Sequence, residues 1–378
     1  MLKYKNYGRL WRVYGRSAFR YSTPKKVLNA LRIEWAYHRR QANITAYPYL
    51  LNIEPLYYCN LECPLCDRQI FPEARKNDAG KLPLDIIDKL FDEVGPYLYQ
   101  CQIFGQGEPL IDWPRTKYII QQARSRHIFT LLSTNCTIMT PALAKEVIAS
   151  GLNHLVCAID GITQDSYSQY RVGGQVEKAL ETLRLFCRER DEQKSDVNIE
   201  WQFLVNRFNV HELEDARQMA EEIGVHIRFS PTHGMEFHPE LQEYWLPETG
   251  DPKWQDGKIA RGETRHEWPC YFLWRALIVN SNTQLARCLI YQNVAEYGSL
   301  RDHSVMELFN SPASQRARQL FSKKSVEPGD FPAPCNNCSF YKREHGGPNL
   351  DKHESLIPTG FDAEALAGKD VIPLNLGA

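Results

Sequence analysis

The sequence predicts an α/β fold: a partial (β/α)6 barrel of the TIM type followed by a small C-terminal α+β unit. Three observations carry that reading. Short apolar strand patterns alternate with amphipathic helix patterns between residues 50 and 231. Repeated strand–helix units imply parallel strands with right-handed crossovers, and six units fit an open barrel better than a closed eight-stranded one. Beyond residue 265 the alternation gives way to a hairpin pattern flanked by cysteines.

The 378 residues suffice for one large domain and an appendage. A hydrophobic content of 43% and a charged content of 24% are those of a globular protein. The net charge of −1 gives no polyelectrolyte signal, so a global nucleic-acid binder is not expected. No apolar run reaches bilayer-spanning length and no secretory signal stands at the start, which predicts a cytoplasmic protein. In a reducing compartment eleven cysteines point to metal ligation rather than disulfides.

Composition divides the chain into a basic, aromatic extension (1–49), the barrel (50–235), a connector rich in Pro, Glu, His and Trp (236–265), a second cysteine-bearing unit (266–345) and a loosely patterned tail (346–378). In the first forty residues Lys3, Lys5, Arg9, Arg12, Arg16, Arg20, Lys25, Lys26, Arg32, Arg39 and Arg40 face one acid, Glu34. Thr23 as N-cap and Pro24 at the first turn predict a helix, with Val27, Leu28, Leu31 and Trp35 on one face. The simplest expectation packs that face on the barrel and solvates the basic one. The alternative is an anionic membrane surface or, less favoured, a nucleic acid.

Strands are expected at 50–58, 99–105, 127–135, 154–160, 197–206 and 226–231. Between them, Leu84, Ile87, Leu90, Phe91 and Val94 share a helix face, as do Val176, Leu180, Leu183 and Cys187, and Leu213, Ala216, Met219, Ala220 and Ile223. In such folds the site lies at the C-terminal ends of the strands. The loop after the first strand carries Cys59, Cys63 and Cys66 at C-x3-C-x2-C spacing. A zinc knuckle with a distant fourth ligand is one reading. Three thiolates packed in one loop suit an iron–sulfur cluster better, with one iron left open.

Strand parity bears on the interior. Side chains alternate faces along a strand. If the apolar faces turn outward to the helices, Gln102, Ser133, Asn135, Glu200, Gln202, His226 and Arg228 line the lumen. A polar lumen suits a polar ligand, and Glu200, His226 and Arg228 are then candidate catalytic groups by position.

In the second unit Cys270 and Cys288 flank a predicted hairpin, with strands at Ala276–Val279 and Leu285–Cys288. A helix is expected around Val305–Asn310, and Cys335 and Cys338 follow in a C-x2-C pair. Four thiolates make a complete site, either a zinc ribbon or a fully ligated iron–sulfur cluster.

The Cys59–Cys66 stretch resembles the signature of radical S-adenosylmethionine (SAM) enzymes, and further matches follow in order. Gly105-Gln106-Gly107-Glu108-Pro109 is similar to their glycine–glutamate–proline motif, with Gln106 where a glycine is usual. Ser133-Thr134-Asn135 resembles the segment near the SAM ribose, with Cys136 where glycine is common. Ile159-Asp160-Gly161 and Tyr170-Arg171 also resemble the family. The resemblance implies that Gly107 and Glu108 hold the SAM amino group, Arg171 its carboxylate, and Ser133, Asn135 and Asp160 the neighbouring parts. The second unit resembles SPASM and twitch domains, notably that of aminocyclitol dehydrogenases, which implies an auxiliary 4Fe–4S cluster on Cys270, Cys288, Cys335 and Cys338.

Together these imply a SAM-binding 4Fe–4S cluster, reductive cleavage of SAM to a 5′-deoxyadenosyl radical, and hydrogen abstraction from a polar substrate. Net oxidation of a saccharide, aminocyclitol or similar metabolite is the expected outcome, with a flavodoxin or ferredoxin as reductant. Epimerisation, with Cys136 as the spare thiol nearest the mouth, and modification of a peptide are the alternatives. A zinc-stapled binding module is the non-enzymatic one.

Overall fold

The structure is a computed structural model and describes residues 20–71, 80–232, 239–248, 270–289, 296–322 and 335. The cations between Lys3 and Arg16, most of the connector, Cys338 and the tail lie outside the described residues.

In chain order the elements are α1 (Pro24–His38), β1 (Leu50–Ile53), α2 (Leu84–Val94), β2 (Gln100–Ile103), α3 (Trp113–Ser125), β3 (Phe129–Thr134), α4 (Pro141–Ala149), β4 (His154–Ala158), α5 (Gln164–Tyr170), α6 (Val176–Glu192), β5 (Asn198–Val205), α7 (Leu213–Ile223), β6 (His226–Pro231) and α8 (Pro239–Trp245). The second unit follows with β7 (Ala276–Val279), β8 (Gln284–Ala286), β9 (Glu296–Ser299), α9 (Val305–Phe309) and α10 (Pro312–Leu320).

The nine strands of the described residues form one sheet, in the order β6-β5-β4-β3-β2-β1-β7-β8-β9. Strands β1 to β6 are parallel neighbours in sequence order, so the fold is the mixed α/β parallel sheet expected from the alternation. The last expected strand, 226–231, forms as read, and the other five were expected too long at their ends. The first stops at Ile53 rather than 58, because Pro55 lacks the donor a ladder needs.

The hairpin between Cys270 and Cys288 forms, and it does more than the sequence indicated. Strand β7 pairs in parallel with β1, from Leu50 opposite Ala276 to Ile53 opposite Val279. The second unit therefore extends the barrel sheet. The hairpin's return strand starts one residue earlier and ends two residues earlier than expected, and β9 and α10 carried no predicted strand or helix.

Side-chain parity places the apolar faces against the helices. Leu51, Ile53, Cys101, Ile103, Leu132, Leu155, Cys157, Ile199, Trp201 and Phe203 join the main core with the buried faces of α2, α6 and α7. The opposite face carries Gln202, Glu200 and Arg228, joined by hydrogen bonds, so it is the polar lumen expected there. The lumen is not polar throughout. Phe129, Leu131 and Val156 form an apolar patch with Phe104 and Tyr21. The chain before α1 thus contributes Tyr21, edge-on to Phe129 at 6.0 Å.

Helix α1 packs on the domain with the face opposite to the one predicted. Lys26, Asn29, Ile33, Ala36 and Tyr37 are buried, while Val27, Leu28, Leu31 and Trp35 are exposed. Directed bonds decide the orientation. Lys26 Nζ donates to the carbonyls of Arg126 and His127 at 3.1 and 2.5 Å. Asn29 Nδ2 donates to Tyr47 O and its Oδ1 accepts from Tyr47 N. Glu34 accepts from Tyr49 Oη and Arg275 Nε. These partners precede β1, β3 and β7, so α1 lies across the N-terminal end of the sheet. Among the described residues no helix is long and apolar enough to cross a membrane.

Candidate active site at the mouth of the barrel

The chain leaves β1 through Glu54 and Pro55 and turns across the strand ends. Cys66 caps the single helical turn Asp67–Ile70, and Cys66 N donates to Cys63 O at 3.0 Å. Leu61 N points at Cys59 Sγ, 3.5 Å away. The three thiols line one cavity of about 230 Å³ together with Glu108, Asn135, Arg171 and Gln202.

Glu108 is buried, and its carboxylate accepts three hydrogen bonds. Leu110 N at 3.1 Å and Thr134 Oγ1 at 2.8 Å reach Oε1; Asn135 N at 2.8 Å reaches Oε2. Burial pushes this carboxyl above its usual value, and those donors only partly offset it. Gly107 allows the close approach of the strand ends. A Cβ there would stand 2.1 Å from Leu56 O, a backbone atom with nowhere to go. The unusual Gln106 braces the cysteine loop, its Nε2 donating to Asp67 Oδ2 at 3.2 Å, beside Cys66.

Asn135 ties the end of β3 to the cysteine loop. Its Nδ2 donates to Asn60 Oδ1 at 3.0 Å and lies 3.8 Å from Cys59 Sγ. Its Oδ1 accepts from Thr137 N and Oγ1, and Asn60 Nδ2 donates to Thr137 Oγ1. Across the cavity Arg171 Nε donates to Asp160 Oδ2 at 2.6 Å, and Nη1 lies 3.8 Å from Cys63 Sγ. Asp160 is fully buried, also accepts from Leu204 N at 2.7 Å, and stays behind the cavity wall. Ser133 lines the cavity beside Thr134 and Asn135.

The other candidates lie deeper or elsewhere. Arg228 spans Glu200, Gln202 and Ser230 with bonds of 2.6, 2.6 and 2.7 Å. His226 Nδ1 is 3.8 Å from Glu200 Oε2. These residues share the lumen face, yet among them only Gln202 reaches the cavity that holds the thiols. Cys136 is a small buried core residue, the reading its type favours, and not a thiol at the mouth. It is fully buried in the main core, its backbone in the left-handed region at φ 62. That torsion explains why glycine suits the position. Among the described residues no cysteine outside the two ligand sets lines the cavity.

Sequence reasoning passed over several contributors. Glu54 is fully buried, accepting from Gln106 N at 2.8 Å and Ser281 N at 3.0 Å, so one carboxylate joins the β2 loop to the β7–β8 turn. An acid directly after an apolar strand was the available signal. Tyr170 sits against Cys63 and Leu65 in a cluster with Trp245 of α8, a helix within the expected connector. Nothing in the local pattern ties Trp245 to the cysteines.

The donor set can be tested against the group the cysteine spacing implies. Burial pushes Cys59 up to about 11 and raises Cys63 and Cys66 as well, with Cys59 and Cys66 pushed further by neighbouring thiols. Bare thiolates are disfavoured there, so the loop needs a positive centre to charge all three. Among the described residues no group of three or more His, Cys, Asp or Glu side chains is arranged to hold a single metal ion. Three thiols from one short loop, lining one cavity, are a donor set that suits an iron–sulfur cluster with one iron left open. In the second unit Cys335 is pushed up to about 12 and Cys270 rises further, both mainly by burial and each also by Cys288. Three of the four expected ligands therefore converge there, and Cys338 lies outside the described residues.

Residues 53–198 match the Radical SAM superfamily, and residues 270–339 match an iron–sulfur cluster-binding domain, SPASM. The AdoMet-dependent heme synthase of Methanosarcina barkeri is 26% identical over 182 residues, 48% of this chain and 49% of that protein. Mycofactocin maturase MftC of Mycobacterium ulcerans is 27% identical over 188 residues, 48% of this chain and 47% of that protein. The chain spans about half the length of these curated relatives. Among solved structures, Streptococcus suis SuiB bound to S-adenosylmethionine superposes with a TM-score of 0.57 at 14% identity, covering 85% of this chain and 79% of that one. The anSMEcpe structure with bound AdoMet gives 0.52 at 16% identity, covering 82% and 93%. At these identities the likeness is one of fold.

Proposed function

The chain is a radical SAM protein with a C-terminal SPASM domain, and from that premise we propose that it oxidises a polar substrate held in the barrel lumen. The family implies a 4Fe–4S cluster and SAM at the mouth and an auxiliary iron–sulfur cluster in the SPASM domain. Bound together, these groups supply reductive cleavage of SAM, a 5′-deoxyadenosyl radical that abstracts hydrogen, and a site able to take up an electron.

The chain's own residues bind, orient and exclude water. Cys59, Cys63 and Cys66 are the ligands at the mouth, and Cys270, Cys288, Cys335 and Cys338 those of the auxiliary site. Glu108 offers an acceptor to the SAM ammonium from a carboxylate already fixed by three donors, so little reorganises on binding. Arg171, held by Asp160, presents its free guanidinium edge to the SAM carboxylate. Gly107 shapes the floor, and Ser133 and Asn135 line the ribose side. Trp245 and Tyr170 cover the loop and keep water from the thiols.

The observation that carries the oxidative reading is the lumen wall below the cavity. Gln202, Glu200 and Arg228 form one hydrogen-bonded polar surface there, with His226 Nδ1 3.8 Å from Glu200 Oε2. In a barrel whose core is otherwise apolar, such a wall is built for a polar guest. Glu200 is the candidate base for a substrate hydroxyl proton, with Arg228 bonded to its Oε1.

A second reading is favoured by the relatives. One is a mycofactocin maturase, and SuiB is also solved bound to a precursor peptide, SuiA. Peptide modification fits the same mouth. Incubation with deuterated polyols, amino sugars and candidate peptides separates the two. Deuterium entering 5′-deoxyadenosine from a small polar compound supports the oxidative reading, and transfer only from a peptide replaces it.

A further inference from the structure

We propose that α1 seats the protein on an anionic membrane surface, with Val27, Leu28, Leu31 and Trp35 entering the boundary between headgroups and acyl chains. These four side chains are 42, 51, 63 and 59% exposed on one face of a single helix. An apolar stripe is normally the face a helix buries. Here the buried face is another one, Ile33, Ala36 and Tyr37 packed in the core with Lys26 and Asn29 bonded beside them, so the stripe is left outside.

Charge selects the partner. Lys25, Arg32 and Arg39 are exposed alongside the stripe, and the Arg39 guanidinium lies over the Trp35 ring at 4.7 Å. The single acid of α1, Glu34, borders the stripe one heptad after Val27, but its carboxylate is engaged by Arg275 and Tyr49. Residues 1–19 add Lys3, Lys5, Arg9, Arg12 and Arg16 and no acid. A strongly basic helix with large apolar residues on its free face lies in the plane of an anionic bilayer. A groove of about 410 Å³ opens beside Leu31 and Trp35, bordered by Gln41 and Ile44.

Location argues against an acidic redox partner as the occupant. Tyr21 touches Phe129, the first residue of β3, and Lys26 binds the carbonyls just before it. The cysteine loop lies at the other end of the strands, about 20 Å away along the six residues of β3. A reductant docked on α1 would face the wrong end of the barrel. A membrane there leaves the mouth open to substrate and reductant.

The test is co-sedimentation of the anaerobically reconstituted full chain with vesicles of phosphatidylcholine alone and with about 30% phosphatidylglycerol. The protein is expected to sediment with the anionic vesicles, at least about tenfold more weakly with the neutral ones, and to be released by high salt. Leu31→Glu/Trp35→Glu abolishes sedimentation with the melting temperature unchanged, since both side chains are already in water. Val27→Ser/Leu28→Ser weakens it independently. Absence of binding to anionic vesicles, or binding unaltered in both variants, overturns the proposal. So does a stripe-dependent dimer formed without lipid when no vesicle binding is seen.

Discussion

Arg171 joins the buried carboxylate of Asp160 to the thiol of Cys63: Nε donates to Oδ2 at 2.6 Å while Nη1 stands 3.8 Å from Sγ. The pair fixes a guanidinium edge at the mouth before any ligand arrives. Asp160→Asn keeps the acceptor for Leu204 N and removes the charge that aims Arg171. The expected result is a SAM dissociation constant raised about tenfold or more, with iron content unchanged, by equilibrium dialysis.

Glu54 spans the β2 loop and the β7–β8 turn through Gln106 N and Ser281 N. Glu54→Gln turns one acceptor into a donor facing an N–H. A loss of about 1–3 kcal/mol in unfolding free energy is expected from denaturant melts, together with weaker retention of iron at both sites.

Gly107→Ala places a methyl 2.1 Å from Leu56 O. The strand ends must part, at a cost of about 2–3 kcal/mol. Expected are a lowered melting temperature and loss of SAM binding. Gln106→Gly, by contrast, removes only the bond to Asp67, so SAM binding persists.

Burial pushes the Glu34 carboxyl up, but Arg275 and Tyr49 outweigh it and hold it below its usual 4.5. The pair therefore stabilises the fold above that value, and the contribution fades as pH falls through the lowered one. Glu34→Gln should cost about 1 kcal/mol at pH 7, part of the pair being solvent-screened. The difference from the parent protein should shrink as the pH falls below the usual 4.5 in denaturant melts.

Cys136 is packed in the core, so Cys136→Ala should retain both hydrogen abstraction and turnover, losing about 1 kcal/mol of stability. Lost turnover with hydrogen abstraction intact would restore the epimerase reading with this thiol as donor.

The barrel was legible because its signals are local. Alternation fixed the strand number, and parity fixed which face of β5 and β6 meets the lumen. The cysteine loop was legible because it follows a strand end, where the fold gathers its loops, whereas Gly107, Glu108 and Arg171 were singled out only through the family resemblance, Arg171 standing at the end of α5. What escaped was set by long-range pairing. Nothing near Ala276 says that β7 will lie beside β1, 226 residues earlier at Leu50. The orientation of α1 escaped for a different reason. Periodicity reports which face is apolar, whereas two carbonyls before β3 capture Lys26 and turn that face outward. Asp160 was recognised in the motif, but its place behind Arg171 depends on the side chain's direction, which spacing does not encode.

The most direct measurement compares 5′-deoxyadenosine formation by the reconstituted chain and by Cys59→Ala/Cys63→Ala/Cys66→Ala, each given SAM and dithionite without oxygen. The account predicts product from the parent protein and none from the variant, which still holds iron and sulfide on the SPASM cysteines. Equal product from the variant, or a parent protein that binds zinc without sulfide and leaves SAM intact, would contradict it.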